Sequence, residues 1–101
     1  MMISSYVTKR KNPSSTMVVM KILSNEYRYA IMELLLMAKK DLCVHELAAH
    51  IGLSQSATSH QLAHLEACGV VRGVRMGKTK CYMPTGTQLT KQITAVINSL
   101  T

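Results

Sequence analysis

The sequence predicts a mainly α fold, about five helices with one small β-hairpin, on three observations. Apolar residues make up 48% of the 101 residues, but only 4% are aromatic and Trp and Phe are absent. A core of Leu, Ile, Val, Met and Ala favours helices. Four stretches carry helical spacing between cap and stop residues, and a fifth, short and apolar, precedes them. The run VVRGVRMGKTKCYMP, by contrast, alternates loosely about Gly77, which is the pattern of a hairpin. At this length the chain forms one domain with a modest core.

Residues 1–15 are polar and basic and carry Pro13, so they are expected to form a flexible arm ahead of a domain over 16–101. Lys9, Arg10 and Lys11 could touch DNA phosphates or simply be solvated. TMVVMKIL, from Thr16 to Leu23, is apolar on nearly every side and must be buried by this chain or by a second copy. Ser24 is the expected cap of the next helix, NEYRYAIMELLLMAKK, in which Tyr27, Ile31, Leu34 and Leu35 repeat at core spacing. Asp41 and Leu42 break the chain before a third helix, VHELAAHIGL, which closes at Gly52.

Ser54 to Gly69, SQSATSHQLAHLEACG, is bounded by an N-cap serine and a glycine suited to the left-handed conformation that ends a helix. At about 100° per residue, Thr58, Gln61, Leu62 and Leu65 share one face and Ser56, Ser59, His60 and Ala63 the other. The second face is short and polar. With Gln55 near the helix start, its hydroxyls and imidazole suit base edges in the major groove; a solvated polar face is the plainer alternative. A helix, a short glycine-containing turn and a polar-faced helix form a helix-turn-helix, and a basic hairpin after it makes a wing. The class expected is therefore a winged helix-turn-helix with a two-stranded wing. Arg75, Lys78 and Lys80 of that wing are candidates for phosphate or minor-groove contacts. His64, late in the helix, suits a phosphate or solvent contact better than a base.

The last helix, from Thr87 to Leu100, sets Leu89, Ile93, Val96, Ile97 and Leu100 on one stripe. Together with the apolar first helix this points to a homodimer interface, which would place two reading helices on successive major grooves. A helix covering its own core is the alternative.

Charge supports a polyanionic partner. Twelve Lys and Arg stand against five acids, a formal +7, and all five acids precede Ala67. Scarce aromatics argue against base-stacking recognition of single strands, so double-stranded DNA is the expected partner. No run is apolar enough for a membrane span or a signal peptide, so no membrane partner and a cytoplasmic location are expected. No Ser-His-Asp, paired-carboxylate or phosphate-loop spacing appears, so the chain is not expected to be an enzyme. The competing class is a winged-helix interaction module, an adaptor or anti-repressor without specific DNA binding.

Order of elements and particular residues together resemble the ArsR/SmtB family of winged-helix repressors, from about Leu23 to Leu100. LSNEYRYAIMELLL, DLCVHELAAHIGLSQSATSHQLAHLEACGVV and GKTKCY carry the resemblance, and Ser54 to Leu62 is its most specific part. It implies a dimeric repressor that binds an operator palindrome and is released by an inducer. By that resemblance Gln55, Ser56, Ser59 and His60 contact bases, and Arg75 and Lys78 serve in the wing. Thr58 departs from the aliphatic residue usual there, which would soften the packing beneath the reading face.

A sensor is harder to find. The family often senses metals at Cys-x-Cys in the third helix, and here Cys43-Val44-His45 offers only two ligands, with Ala48 where a third cysteine can occur. Residues 85–101 contain no Asp, Glu, His or Cys, so the site on the last helix is missing, as is the dithiol of a persulfide sensor. No cofactor is expected; Cys43 and His45 are weak metal candidates at most. The odd count of three cysteines, at irregular spacing, reads as free thiols. Cys68 and Cys81 are expected to be structural, with a Cys68–Cys81 redox pair left open.

Overall fold

The computed structural model describes residues 15–100. The expected arm, with Lys9 to Lys11, lies outside the described residues, except that Ser15 already belongs to a helix. In chain order the elements are α1 (Ser15–Leu23), α2 (Glu26–Ala38), β1 (Leu42–Cys43), α3 (Val44–Ile51), α4 (Gln55–Ala67), β2 (Val71–Met76), β3 (Thr79–Pro84) and α5 (Gln88–Leu100). Five helices and a wing are the expected class. The sheet, however, has three antiparallel strands in the order β1-β3-β2. The break foreseen at Asp41 and Leu42 is in part a strand, because Leu42 pairs with Tyr82 and Cys43 with Cys81. Two residues are too short for periodicity to reveal.

The cap of α2 also differs from expectation. Asn25, not Ser24, is the N-cap, its side-chain oxygen accepting from the backbone N–H of Tyr27 at 2.9 Å and of Arg28 at 3.1 Å. Such a cap contributes about 1 kcal/mol. The Ser24 hydroxyl instead donates to the Lys21 carbonyl at the end of α1. Helix α2 stops at Ala38 because Lys39 turns left-handed, with φ 56°.

Ile31, Met32 and Leu35 of α2, Leu47 of α3, Leu62 and Leu65 of α4 and Ile93 of α5 are closed off from solvent at the centre of one core. Each such aliphatic side chain contributes about 1.5–3 kcal/mol by leaving water. The sheet adds Val71 and Tyr82, and the connection before β2 adds Val70. A threonine cluster seats α5 on this core. The Thr85 hydroxyl donates to the Gly69 carbonyl at 2.7 Å and lies 2.6 Å from the hydroxyl of Thr90, which is itself 3% exposed. The start of α5 is thereby fixed beside the end of α4.

The stripe on α5 divides. Ile93 and Ile97 are buried in the chain's own core, whereas Val96 and Leu100 are exposed, the latter at 68%. On α1, Val19 and Ile22 face inward while Met17 and Met20 face out. Both helices thus cover the core with one side and present an apolar second side. No described helix is long and apolar enough to cross a membrane.

Candidate nucleic-acid interface

The reading helix is set by its two ends. The Ser54 hydroxyl accepts from the Ala57 N–H at 3.0 Å, and Gly69 takes φ +79° just after the helix. Upstream, Gly52 has φ +75° and its N–H returns to the Ala48 carbonyl, so α3 stops and the chain reverses within three residues into α4. That left-handed position is why glycine stands there.

Thr58, Leu62 and Leu65 are buried, Gln61 is half-buried, and Ser56, Ser59, His60 and Ala63 are all exposed. The faces predicted from periodicity are those of the structure. Thr58 is wholly enclosed, yet its hydroxyl donates to the Ser54 carbonyl at 2.8 Å, so no polar group is left unsatisfied. Arg28 braces the helix from behind: one guanidinium nitrogen donates to Gln61 Oε1 at 3.2 Å and the other to the Lys21 carbonyl at 3.0 Å. Helices α1, α2 and α4 therefore meet at a single side chain. Gln55 is exposed at the first turn, and His64 is exposed in the last turn of the helix.

The wing is a tight hairpin. Met76 pairs with Thr79 across Gly77 and Lys78, with Gly77 at φ +67°, and Arg75 pairs with Lys80. Arg75 and Lys78 are exposed near the tip. Lys80 is placed differently. Its Nζ lies 3.3 Å from Glu66 Oε1 and 5.4 Å from the centre of the Tyr82 ring. The other Glu66 oxygen accepts from the Gly73 N–H at 3.1 Å. One carboxylate in the last turn of α4 thus holds both wing strands.

These contacts shift both groups toward their charged forms. The Gly73 N–H holds the Glu66 carboxyl below its ordinary range against the opposing effect of burial, and Lys80 adds to the lowering. Glu66, with Tyr82, raises Lys80 above the ordinary lysine range. Gly73 fits this cluster because it has no side chain. A Cβ there would overlap Lys80 Cε and lie 2.8 Å from a Tyr82 ring carbon. Sequence reasoning missed Glu66, Gly73 and Arg28. A glycine inside a strand is the one signal that could have pointed to a close approach.

The cysteines require a correction. Cys43 and Cys81 form a disulfide, so neither is a free thiol; Cys68 is free, and no Cys68–Cys81 pair is formed. The reason is the third strand, which sets Cys43 directly opposite Cys81. With its sulfur bonded, Cys43 has no thiolate to offer a metal, and His45 is exposed beside it. Among the described residues no three His, Cys, Asp or Glu side chains gather into a metal site.

The family model of the bacterial regulatory protein, arsR family, matches residues 25–72, which span α2 through the start of the wing. The transcriptional activator HlyU of Vibrio cholerae is 35% identical over 83 residues, covering 82% of this chain and 75% of that protein. The chain belongs to the ArsR family. A protein of Halobacterium salinarum assigned as an arsenical resistance operon repressor, ArsR, is 39% identical to this ArsR-family chain over 67 residues, covering 66% of the chain and 52% of its own length. The chain spans little more than half the length of the first curated relatives it matches. In three dimensions it is similar to HlyU from Vibrio cholerae, with a TM-score of 0.74 and 32% identity over 88% of this chain and 95% of that one. The ArsR family is one of transcriptional regulators rather than enzymes.

Proposed function

We propose that this ArsR-family chain is a sequence-specific regulator of transcription that binds double-stranded DNA as a homodimer in the cytoplasm. Gln55, Ser56, Ser59 and His60 read base edges in the major groove, and Arg75 and Lys78 hold phosphates or the minor groove. The observation that carries this reading is the exposed face of α4, small and polar along its length, beside an exposed basic wing tip. Nothing bulky keeps that face from the floor of a groove. Bound over a promoter, such a protein acts as a repressor by exclusion.

Dimerisation is supported by the outer sides of α1 and α5. Met20 and Val96, 59% and 37% exposed, line one apolar groove between the two helices. Gln92 lines it as well, and its Oε1 is buried with no hydrogen-bond partner. A second copy would cover the methionines and supply a donor to that oxygen. Its two-fold axis would place the paired reading helices about 34–36 Å apart, one turn of duplex.

The test is selection of duplexes from a random library, followed by affinity measurement at two salt concentrations. A palindromic site should emerge, and Ser59→Ala with His60→Ala should lower affinity for it by about 1–3 kcal/mol per lost base contact. Binding no tighter to the selected site than to a scrambled duplex would favour the adaptor reading instead. Val96→Asp should shift the sedimentation of the protein from dimer to monomer.

A further inference from the structure

We propose that the Cys43–Cys81 bond is a reversible redox switch that sets how firmly the wing is tied to the helix-turn-helix. Cys43 is the residue immediately before α3, at its N-cap position, and Cys81 sits in the middle of the central strand β3. Their bridge closes a chain separation of 38 residues that contains α3, the turn, all of α4 and the first wing strand. Every element assigned to DNA contact lies inside that loop or at its edge.

Register brings the two sulfurs together. Cys43 and Cys81 are direct partners in the antiparallel pairing, so the register of β1 on β3 itself sets the two side chains opposite each other. The two ends differ in access. Cys81 is 2% exposed, whereas Cys43 is half-buried at the edge strand and can be approached from solvent. A small-molecule thiolate therefore attacks Cys43 Sγ: a new S–S bond forms there, the protein S–S bond breaks, and Cys81 leaves as a thiolate that takes a proton. A second thiolate attacks the sulfur of the bound small molecule, releasing Cys43 and a small disulfide. In total two thiols lose two electrons and the protein gains two thiols.

With hydrogen peroxide the direction reverses. The Cys43 thiolate forms an S–O bond as the O–O bond breaks, and hydroxide leaves to become water. The Cys81 sulfur then attacks the sulfenic sulfur, expelling a second hydroxide that carries off the Cys81 proton. Two thiols and one peroxide give one disulfide and two waters.

What the bond changes is the freedom of the wing. Reduced, β1 keeps two residues of pairing with β3, and the wing is held to the rest by Glu66, Lys80 and Gly73. Oxidised, α3 and β3 are covalently one body, and a wing already in place need not be ordered when DNA binds.

The experiment uses the full chain carrying Cys68→Ser, so that two thiols remain. Peroxide should remove both thiols, and dithiothreitol should restore both, without loss of helical signal. The oxidised form should melt about 15 °C higher and exchange its amide hydrogens more slowly across residues 71–84. The duplex recovered by selection should bind the oxidised form about tenfold more tightly. Failure of the bond to reform in folded protein, or equal melting and exchange in both states, overturns the switch. Those readouts need no DNA, so they stand or fall apart from the DNA-binding reading, on which only the affinity comparison rests. Equal affinity in the two states with altered melting and exchange would overturn the link from wing to DNA.

Discussion

Glu66 and Lys80 form an ion pair at 3.3 Å that joins the last turn of the reading helix to the second strand of the wing. With the Gly73 N–H on its other oxygen, the Glu66 carboxylate ties the end of the helix to both wing strands. The folded state lowers the Glu66 value, so this contribution is complete above the ordinary glutamate range, about 4.3, and is lost as pH falls through the lower folded value. Lys80 is raised, so its share is complete below the ordinary lysine range and fades only as pH rises through the folded value. Glu66→Gln should lower the melting temperature by a few degrees at neutral pH. Its melting temperature should converge with that of the unaltered protein as pH falls below the ordinary glutamate range and through the lower folded value. Parallel pH profiles would show that the pair contributes nothing.

Gly73→Ala tests the same cluster by volume. The added Cβ meets the Lys80 side chain and a ring carbon of Tyr82, which is 4% exposed and has little room to move. Overpacking of this kind costs about 1–3 kcal/mol. Urea unfolding should show a loss in that range, and Lys80 should move off Glu66. No loss would mean that the ring has room to yield.

Much of this architecture was legible in the chain. The two faces of α4 follow from helical spacing, since Leu62 and Leu65 must be buried and Ser56, Ser59, His60 and Ala63 then point outward. The wing hairpin follows from Gly77 and the alternation about it. What stayed hidden depends on pairings distant in sequence. A two-residue strand has no periodicity, so nothing local paired Leu42 and Cys43 with β3, and without that register Cys43 and Cys81 are simply two of three thiols. Glu66, seen as a charge, gave no sign that it faces Gly73 and Lys80, 7 and 14 residues on. The division of the α5 stripe likewise reflects how far α1 and α2 reach around it, and spacing alone cannot set that limit.

Thr58→Val addresses the departure from an aliphatic residue beneath the reading face. The threonine hydroxyl is buried but bonded, and its acceptor, the Ser54 carbonyl, also takes the Thr58 N–H at 2.9 Å. Removing the hydroxyl leaves that carbonyl satisfied and buries a methyl in its place. Stability should be unchanged or higher, within about 1 kcal/mol. A larger loss in urea unfolding would mean that the hydroxyl holds the first turn of α4 in shape.

Salt dependence separates the wing lysines. Lys78 is exposed at the tip and makes no hydrogen bond or ion pair among the described residues, so as a phosphate ligand it would release a counterion on binding. Lys78→Ala should reduce the slope of log affinity against log salt by about 1 and leave the melting temperature unchanged. Lys80 is already neutralised by Glu66, and moving it to a phosphate would leave that carboxylate without its cation. Lys80→Ala should therefore change the slope by less than Lys78→Ala does while lowering the melting temperature, because its work is to hold the wing. A full unit of slope from Lys80 instead would mean that DNA takes the lysine from Glu66, and that the helix-to-wing tie opens on binding.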